Sequence, residues 1–389
     1  MSAYTSVKTR PSLIPQHEPL PGQTANNAGG YAWQIDDWAQ LDRFLVLGSS
    51  VGTYYVGEQK LTKDNANAVL RCLEADGKRT VARIVTVSQQ GLAPSNEPAL
   101  FALALAAAAT NPETRRQALD VLPLVARTGT HLLHFVAYAE GQRGWGRGLR
   151  RAVGAWFNRR TVNELAYQAI KYQGRDGWKL SDLMRLSHPK PDSVFERQAL
   201  YKWIVDGIED AGWARVGLAG TDLREWLPPA IRAFEMAKPA TTKGEVAELI
   251  RNHRLPREAI PTQWLDEREV WDALLEHMPL EAMVRNLGKM TAVGLLQGGS
   301  AVARLACERL ADTEVIRKSR LHPLKLLVAQ KVYEQGHGVL GKLTWDPVAS
   351  VVDALDAAFY AAYGNVEPTG KRLLIAIDVS CSMGYQLSA

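Results

Sequence analysis

The stretch that decides the fold runs from Pro98 to Gly129, PALFALALAAAATNPETRRQALDVLPLVARTG. Pro98 and Pro112 each stand where a helix can open, because proline fits the first helical turn and has no N–H to lose there. The first opens an alanine- and leucine-rich helix. The second opens another through Ala118, Leu119 and Leu122, expected to end near Gly129. Ala99 to Ala109 is too short and too rich in alanine to span a membrane, so it reads as a packed helix. Two helices and a short corner in so few residues make one repeat-like unit.

The same pattern spreads in both directions. Ile35, Trp38, Leu41, Phe44 and Leu45 recur at helical spacing, with Gly48 as a stop. Asp64 is placed to cap a helix carrying Ala68, Val69, Cys72 and Leu73, with Gly77 past its end. Further helices are expected around Leu165 and Ile170, and around Val270 to Leu275. Two more are expected at Leu324, Leu327, Val328 and Val332, and at Val352 to Tyr360. Helix pairs recurring at roughly 40 residues suit an α-solenoid of the HEAT type; an irregular helical domain is the other reading. Residues 1–30, rich in Pro, Gln, Asn and Gly, read as a flexible arm, and residues 31–364 as the helical domain.

The chain changes character at Asn365 to Arg372, NVEPTGKR, a polar hinge. After it, Leu373 to Ile377 is an unbroken apolar run ending at Asp378, as a strand buried on both faces of a parallel sheet would be. Asp378, Ser380 and Ser382 place three oxygen donors on alternate residues, a set suited to a hard cation such as Mg²⁺. Residues 365–389 thus start a second domain and do not complete it. Metal binding is expected only if the rest of that domain is supplied.

Of 389 residues, 46% are apolar and the formal charge is +5, so a packed core and a mild preference for acidic partners follow. Cys72, Cys307 and Cys381 are far apart and form no CxxC, which excludes a zinc knuckle and points to reduced, intracellular thiols. The N-terminus lacks the apolar segment of a signal peptide, and a cytoplasmic location without membrane contact is expected. No GxSxG, HExxH or Walker loop occurs, so enzymatic activity is not expected.

Positive charge is concentrated locally. Gly141 to Arg160, GQRGWGRGLRRAVGAWFNRR, sets Arg143, Arg147, Arg150, Arg151, Arg159 and Arg160 around Trp145, Trp156 and Phe157 with no acid between. Guanidinium forks suit phosphates and aromatics can stack on unpaired bases; a solvated helix face over core tryptophans is the other reading. Ile170 to Pro191 adds Lys171, Arg175, Lys179, Arg185, His188 and Lys190, with Asp182 close enough to pair Arg185. In Pro279 to Gly294, Met283, Leu287 and Met290 read as core. Arg285 and Lys289 share a face, which suggests a role or a nearby acid; an ordinary solvated face is the other reading.

The strings GTYYVGEQKL, GWGRGLRRAV, KYQGRDGW, DLMRLSHPKP, MPLEAMVRNLGKMT, GHGVLGKLTW, DALDAAFY and VEPTGKRLLIAIDVSCSM occur in this order. Together they resemble the Ro ribonucleoprotein autoantigen family, whose shared unit is the TROVE domain. The resemblance covers the chain from about Tyr31 to its end. It implies a ring of HEAT-like helix pairs closed by a Rossmann-like von Willebrand factor A domain. It also implies binding of Y RNA on the outer surface and of single-stranded 3′ ends of misfolded RNA in the central hole. Bacterial members act in RNA quality control with exoribonuclease partners, and the family is not enzymatic.

Carried over by position, the Y-RNA contacts fall on Lys171, Arg175 and His188. Lys190, Arg143, Arg147, Arg150 and Arg151 lie nearby in matching motifs. The family's metal-ion-dependent adhesion site would begin at Asp378, Ser380 and Ser382, with Cys381 departing from the usual small residue. Seven residues follow Ser382, so the later loops of that site are missing. A second function class stays open: a helical scaffold that docks a protein partner through a metal-dependent A domain.

Overall fold

The computed structural model describes residues 18–25, 30–49, 58–191, 195–209, 222–366 and 370. Among them, eighteen α-helices form the body, with two short antiparallel hairpins. The first hairpin pairs β1 (Gln23–Ala25) with β2 (Tyr31–Trp33), so part of the expected arm is tied into structure by main-chain hydrogen bonds.

α1 (Asp37–Leu47) begins where the Asp36 carboxylate accepts the Ala39 N–H at 2.7 Å and ends at Gly48, φ 73°. Leu41, Phe44 and Leu45 form its buried stripe, each burial worth about 2 kcal/mol. α2 (Glu58–Gln90) differs from expectation. Asp64 lies inside it rather than at its cap; the kink at Asp76, φ −156° and ψ 89°, ends the first helical part before Gly77 as expected, and a second part runs on from there. Packing explains the glycine: a Cβ on Gly77 would sit 2.1 Å from Thr114 Oγ1.

α3 (Glu97–Ala108) is apolar nearly all round and accordingly buried. α4 (Pro112–Asp120) is capped by Asn111. The short α5 (Leu122–Val125) follows, and Gly129 then opens α6 (Gly129–Arg143) instead of closing a helix, because the Thr128 hydroxyl caps the His131 N–H. The array continues through α7 (Arg147–Asn158), α8 (Val162–Lys171), α9 (Leu180–Ser187), α10 (Phe195–Asp206), α11 (Pro229–Ala237) and α12 (Lys243–His253). It ends with α13 (Arg268–His277), α14 (Leu280–Ala292), α15 (Ala301–Ala311), α16 (Thr313–Ser319), α17 (Pro323–Glu334) and α18 (Ala349–Ala361).

Packing runs mainly between near neighbours, such as α2 with α3, α7 with α9, α12 with α13 and α17 with α18. One approach is not local. A Cβ on Gly91, just after α2, would lie 2.8 Å from Arg320 Cβ, just after α16. Pro94 shares a cleft with Leu324 and Lys325 of α17. The two ends of the array therefore meet, and the helices close into a ring.

α17 forms where a helix is expected, while the expected hinge changes. Leu326, Gln330 and Tyr333 form the helix's buried face, while Leu324 and Val328 are about half exposed along the cleft. Asn365 belongs to the ring, because its amide donates to Leu321 O at 3.1 Å and Ile316 O at 3.4 Å. The apolar run Leu373 to Ile377 and the donors Asp378, Ser380 and Ser382 lie outside the described residues. Among the described residues no helix is long and apolar enough to cross a membrane, and no three His, Cys, Asp or Glu are grouped to hold a metal.

Candidate nucleic-acid interface

α7 divides its charge cleanly. Leu149, Ala152, Val153, Trp156 and Phe157 are buried, while Arg147, Arg150 and Arg151 are exposed on the other side. Trp156 and Phe157 are fully buried, so the core reading of these aromatics holds and base stacking on them is excluded. Arg160 is also structural. Its guanidinium lies 3.4 Å over the Trp156 ring and donates to the carbonyls of Trp156, Ala126 and Arg127. Burial lowers its pKa to about 10.

The next element is a second hairpin, β3 (Gly174–Arg175) and β4 (Trp178–Lys179), with Arg175 paired to Trp178. Asp176 and Gly177 form the turn with φ of 52° and 79°, the left-handed pair that an Asp-Gly type I′ turn requires. The Asp176 carboxylate is hydrogen-bonded to His134 Nδ1 of α6 and lies 3.8 Å from Arg175 Nε. Trp178 packs against Trp145, 5.8 Å between ring centroids, which ties the hairpin to the start of α7.

α9 follows and ends at His188, held left-handed at φ 46° with its N–H on Met184 O at 2.9 Å. Pro189 touches the middle of α7: a Cβ on Gly154 would be 3.8 Å from Pro189 Cα. α7, the hairpin and the His188 corner are thus one continuous surface. It carries Arg147, Arg150, Arg151, Arg175, Lys179, His188 and Lys190 outward, with Arg143 at the end of α6.

What marks this surface is that its cations are clustered and, among the described residues, mostly without an acid. Elsewhere many cations are paired: Arg71 with Asp37, Arg251 with Asp272 and Glu276, Lys243 with Glu267. Of the readings left open for Arg285 and Lys289, the structure supports the nearby acid: Glu281 at 3.6 Å and Asp266 at 2.5 Å. Among the described residues, Arg143, Arg147, Arg150, Arg151, Lys179 and Lys190 make no ion pair. Arg185 is turned away to the Val205 carbonyl and does not pair with Asp182, whose carboxylate caps the Lys179 N–H.

Lys171 stands apart from the other sequence-predicted residues. It is half-buried, 3.3 Å from the Tyr167 hydroxyl and 5.5 Å from the Tyr172 ring, and lines a cleft with Arg254, Arg257 and His277. Its field reaches Glu281. Burial works to raise that carboxyl, but the Lys325 hydrogen bond and the charges of Lys325, Arg285 and Lys171 hold it below the usual range. His134 and Asp176 gain their place in the site from the structure; Trp145 already stands out in the sequence. The Asp-Gly dipeptide was the one local signal of the hairpin that carries Arg175.

Comparison with known proteins gives a consistent result. The family model described as "TROVE domain" matches residues 24–216 and 252–371. The chain is similar to a protein of Deinococcus radiodurans named RNA-binding protein RO60, 42% identical over 375 residues, covering 95% of this chain and 68% of that one. A protein of the same name from Caenorhabditis elegans is 33% identical over 433 residues, with 95% and 67% covered. The crystal structure of the Deinococcus radiodurans RO (RSR) protein superposes with a TM-score of 0.66 at 38% identity, covering 87% of this chain and 66% of that one. The chain spans about two thirds of the length of these relatives.

Proposed function

From the premise that this chain belongs to the TROVE domain family, we propose that it binds RNA on the surface formed by α7, the β3–β4 hairpin and the His188 corner. The observation that carries this reading is the run of outward-facing, partnerless cations there, six of them without an ion pair among the described residues. Phosphate contacts release counterions, and that release supplies affinity without a base code. A small structured noncoding RNA of the Y RNA kind suits such a surface, because folded RNA is read by shape and backbone. Arg175, His188 and Lys190 reach it from the hairpin and the corner, and Arg143, Arg147, Arg150 and Arg151 from α6 and α7. Lys171 contributes from its own cleft.

The role is noncoding-RNA quality control in the cytoplasm, with no chemistry done by this chain and an exoribonuclease as a further partner. The seam cleft of about 860 Å³ between Pro94 and α17 supports admission of a single-stranded 3′ end. Its wall combines exposed Leu324 and Val328 with Lys325 and Arg285. The donors for a divalent cation, Asp378, Ser380 and Ser382, lie outside the described residues, and no step is routed through a metal.

The test is binding of a structured small RNA by fluorescence anisotropy across a salt series. Arg150→Ala/Arg151→Ala should flatten the log–log salt slope by roughly 0.7 to 0.9 for each phosphate that is no longer neutralised. Unchanged affinity and slope would remove the interface from this face. Strong recovery of a polypeptide partner with no RNA enrichment would favour the scaffold.

A further inference from the structure

Between α3, the end of α6 and the start of α7 the surface opens into a cavity of about 260 Å³. Its floor is apolar, built by Ala107, Ala108, Leu119 and Leu149, and Trp145 forms a wall. Arg143, Arg147 and Arg115 stand around it, and no acidic residue lines it. Arg115 is tied to the Ala109 and Thr110 carbonyls, both at 2.7 Å. Arg143 and Arg147 carry no ion pair or hydrogen bond from their side chains among the described residues.

Two further features point to an occupant. Gly144 and Gly146 flank Trp145, and a Cβ on either would meet nothing within 4 Å, so the entrance is open. The volume is that of roughly eight or nine waters and falls short of the ~300 Å³ at which pockets for larger ligands begin. It suits one flat ring, not a strand.

We propose that this cavity receives a single unpaired nucleobase extruded from a bound RNA, with the neighbouring phosphates on Arg143 and Arg147. The assignment rests on the RNA-binding reading above and deepens it. An apolar floor and an indole wall accept the face of any base. A cationic mouth with no acid selects for the phosphates beside it. Trp145 also packs on Trp178 of the hairpin, so the cavity is continuous with the cationic surface. Unpaired positions cost least to extrude, so they are the ones such a cavity would select.

The experiment uses the full chain and three labelled RNA hairpins. One has a fully paired stem, one carries a single unpaired adenosine in that stem, and one has an abasic residue at the same place. The unpaired adenosine should tighten binding roughly tenfold, and the abasic RNA should bind like the paired stem. Ala108→Leu, at a half-exposed position of the floor, should erase the preference and leave paired-stem affinity unchanged. Should a thermal melt show that variant unfolded, Ala107→Leu tests the same floor. Equal affinity for all three RNAs overturns the proposal and leaves the phosphate interface standing. So does a preference kept by the abasic RNA, or by the folded floor variants. No binding to any of the three would sink the RNA reading itself.

Discussion

His134 Nδ1 of α6 is hydrogen-bonded to the carboxylate of Asp176, the turn residue next to Arg175. The link continues inward. The His134 ring stacks on Tyr138 with centroids 6.4 Å apart, and the Tyr138 hydroxyl donates to Glu97 Oε1 at 2.6 Å. Burial and that carboxylate push the Tyr138 phenol well above its usual range. A two-residue-per-strand hairpin is too small to hold itself, so this chain of interactions from α3 through α6 fixes where Arg175 points.

His134→Ala should therefore act like removal of Arg175. The expected result is a salt slope lower by roughly 0.7 to 0.9, with His134→Ala/Arg175→Ala no weaker than Arg175→Ala alone. His134→Asn keeps a donor near Nδ1 and should keep the affinity. If Asp176 merely repelled phosphate, its release would tighten binding instead, and anisotropy titrations of these variants separate the two.

Trp156 offers the opposite case. It is fully buried, and its indole donates to Ala126 O at 2.6 Å beneath the Arg160 guanidinium. Trp156→Phe should cost about 1–2 kcal/mol of stability by removing the indole hydrogen bond, although Arg160 still reaches the Ala126 carbonyl, and by weakening the cation–π interaction. RNA affinity measured where the variant stays folded should be unchanged. Weaker RNA binding at undiminished stability would return Trp156 to the interface.

The pH dependence of stability should carry a mark of His131. Burial, with the nearby Arg127 charge, lowers its pKa from 6.5 to about 3, so the folded protein keeps this imidazole neutral. The unfolded chain takes up the proton near pH 6.5 and the folded one does not. Stability is therefore full above that pH and falls as pH drops from 6.5 toward 3, by about 2 kcal/mol at pH 5. Thermal melts of wild type and His131→Gln between pH 7.5 and 5 should show the wild type losing more.

Gly288 sits in α14 beneath Trp345, where a Cβ would lie 2.8 Å from three ring atoms. The ring cannot yield easily, because its N–H holds the Tyr333 carbonyl at 2.9 Å and it stacks on Tyr333. Gly288→Ala should destabilise by about 1–3 kcal/mol through overpacking, read as a lower denaturation midpoint with unchanged slope.

How much of this was legible follows from the range of each force. α1, α3, α13 and α14 came through because periodicity and caps act within a few residues, and Met283, Leu287 and Met290 are buried as their spacing required. Asp64 misled because a capping residue inside a long helix looks the same in sequence as one at its start. The helix at Leu324 and Val328 was legible, but apolar spacing does not say what stands opposite those side chains; across the cleft stands Pro94.

The sequence by itself determined a helical-repeat body, its family, and a cationic tract from Arg143 to Lys190. Tertiary structure alone decided which of those cations remain free. Arg160 spends its donors on buried carbonyls, Arg185 turns to the Val205 carbonyl, and Lys171 turns into a separate cleft, while Arg147, Arg150 and Arg151 face outward without an ion pair among the described residues. The physical reason is that a charge is neutralised by whatever lies within a few ångströms of it. In a ring whose early Gly91 touches its late Arg320, those neighbours come from elements far apart in the chain.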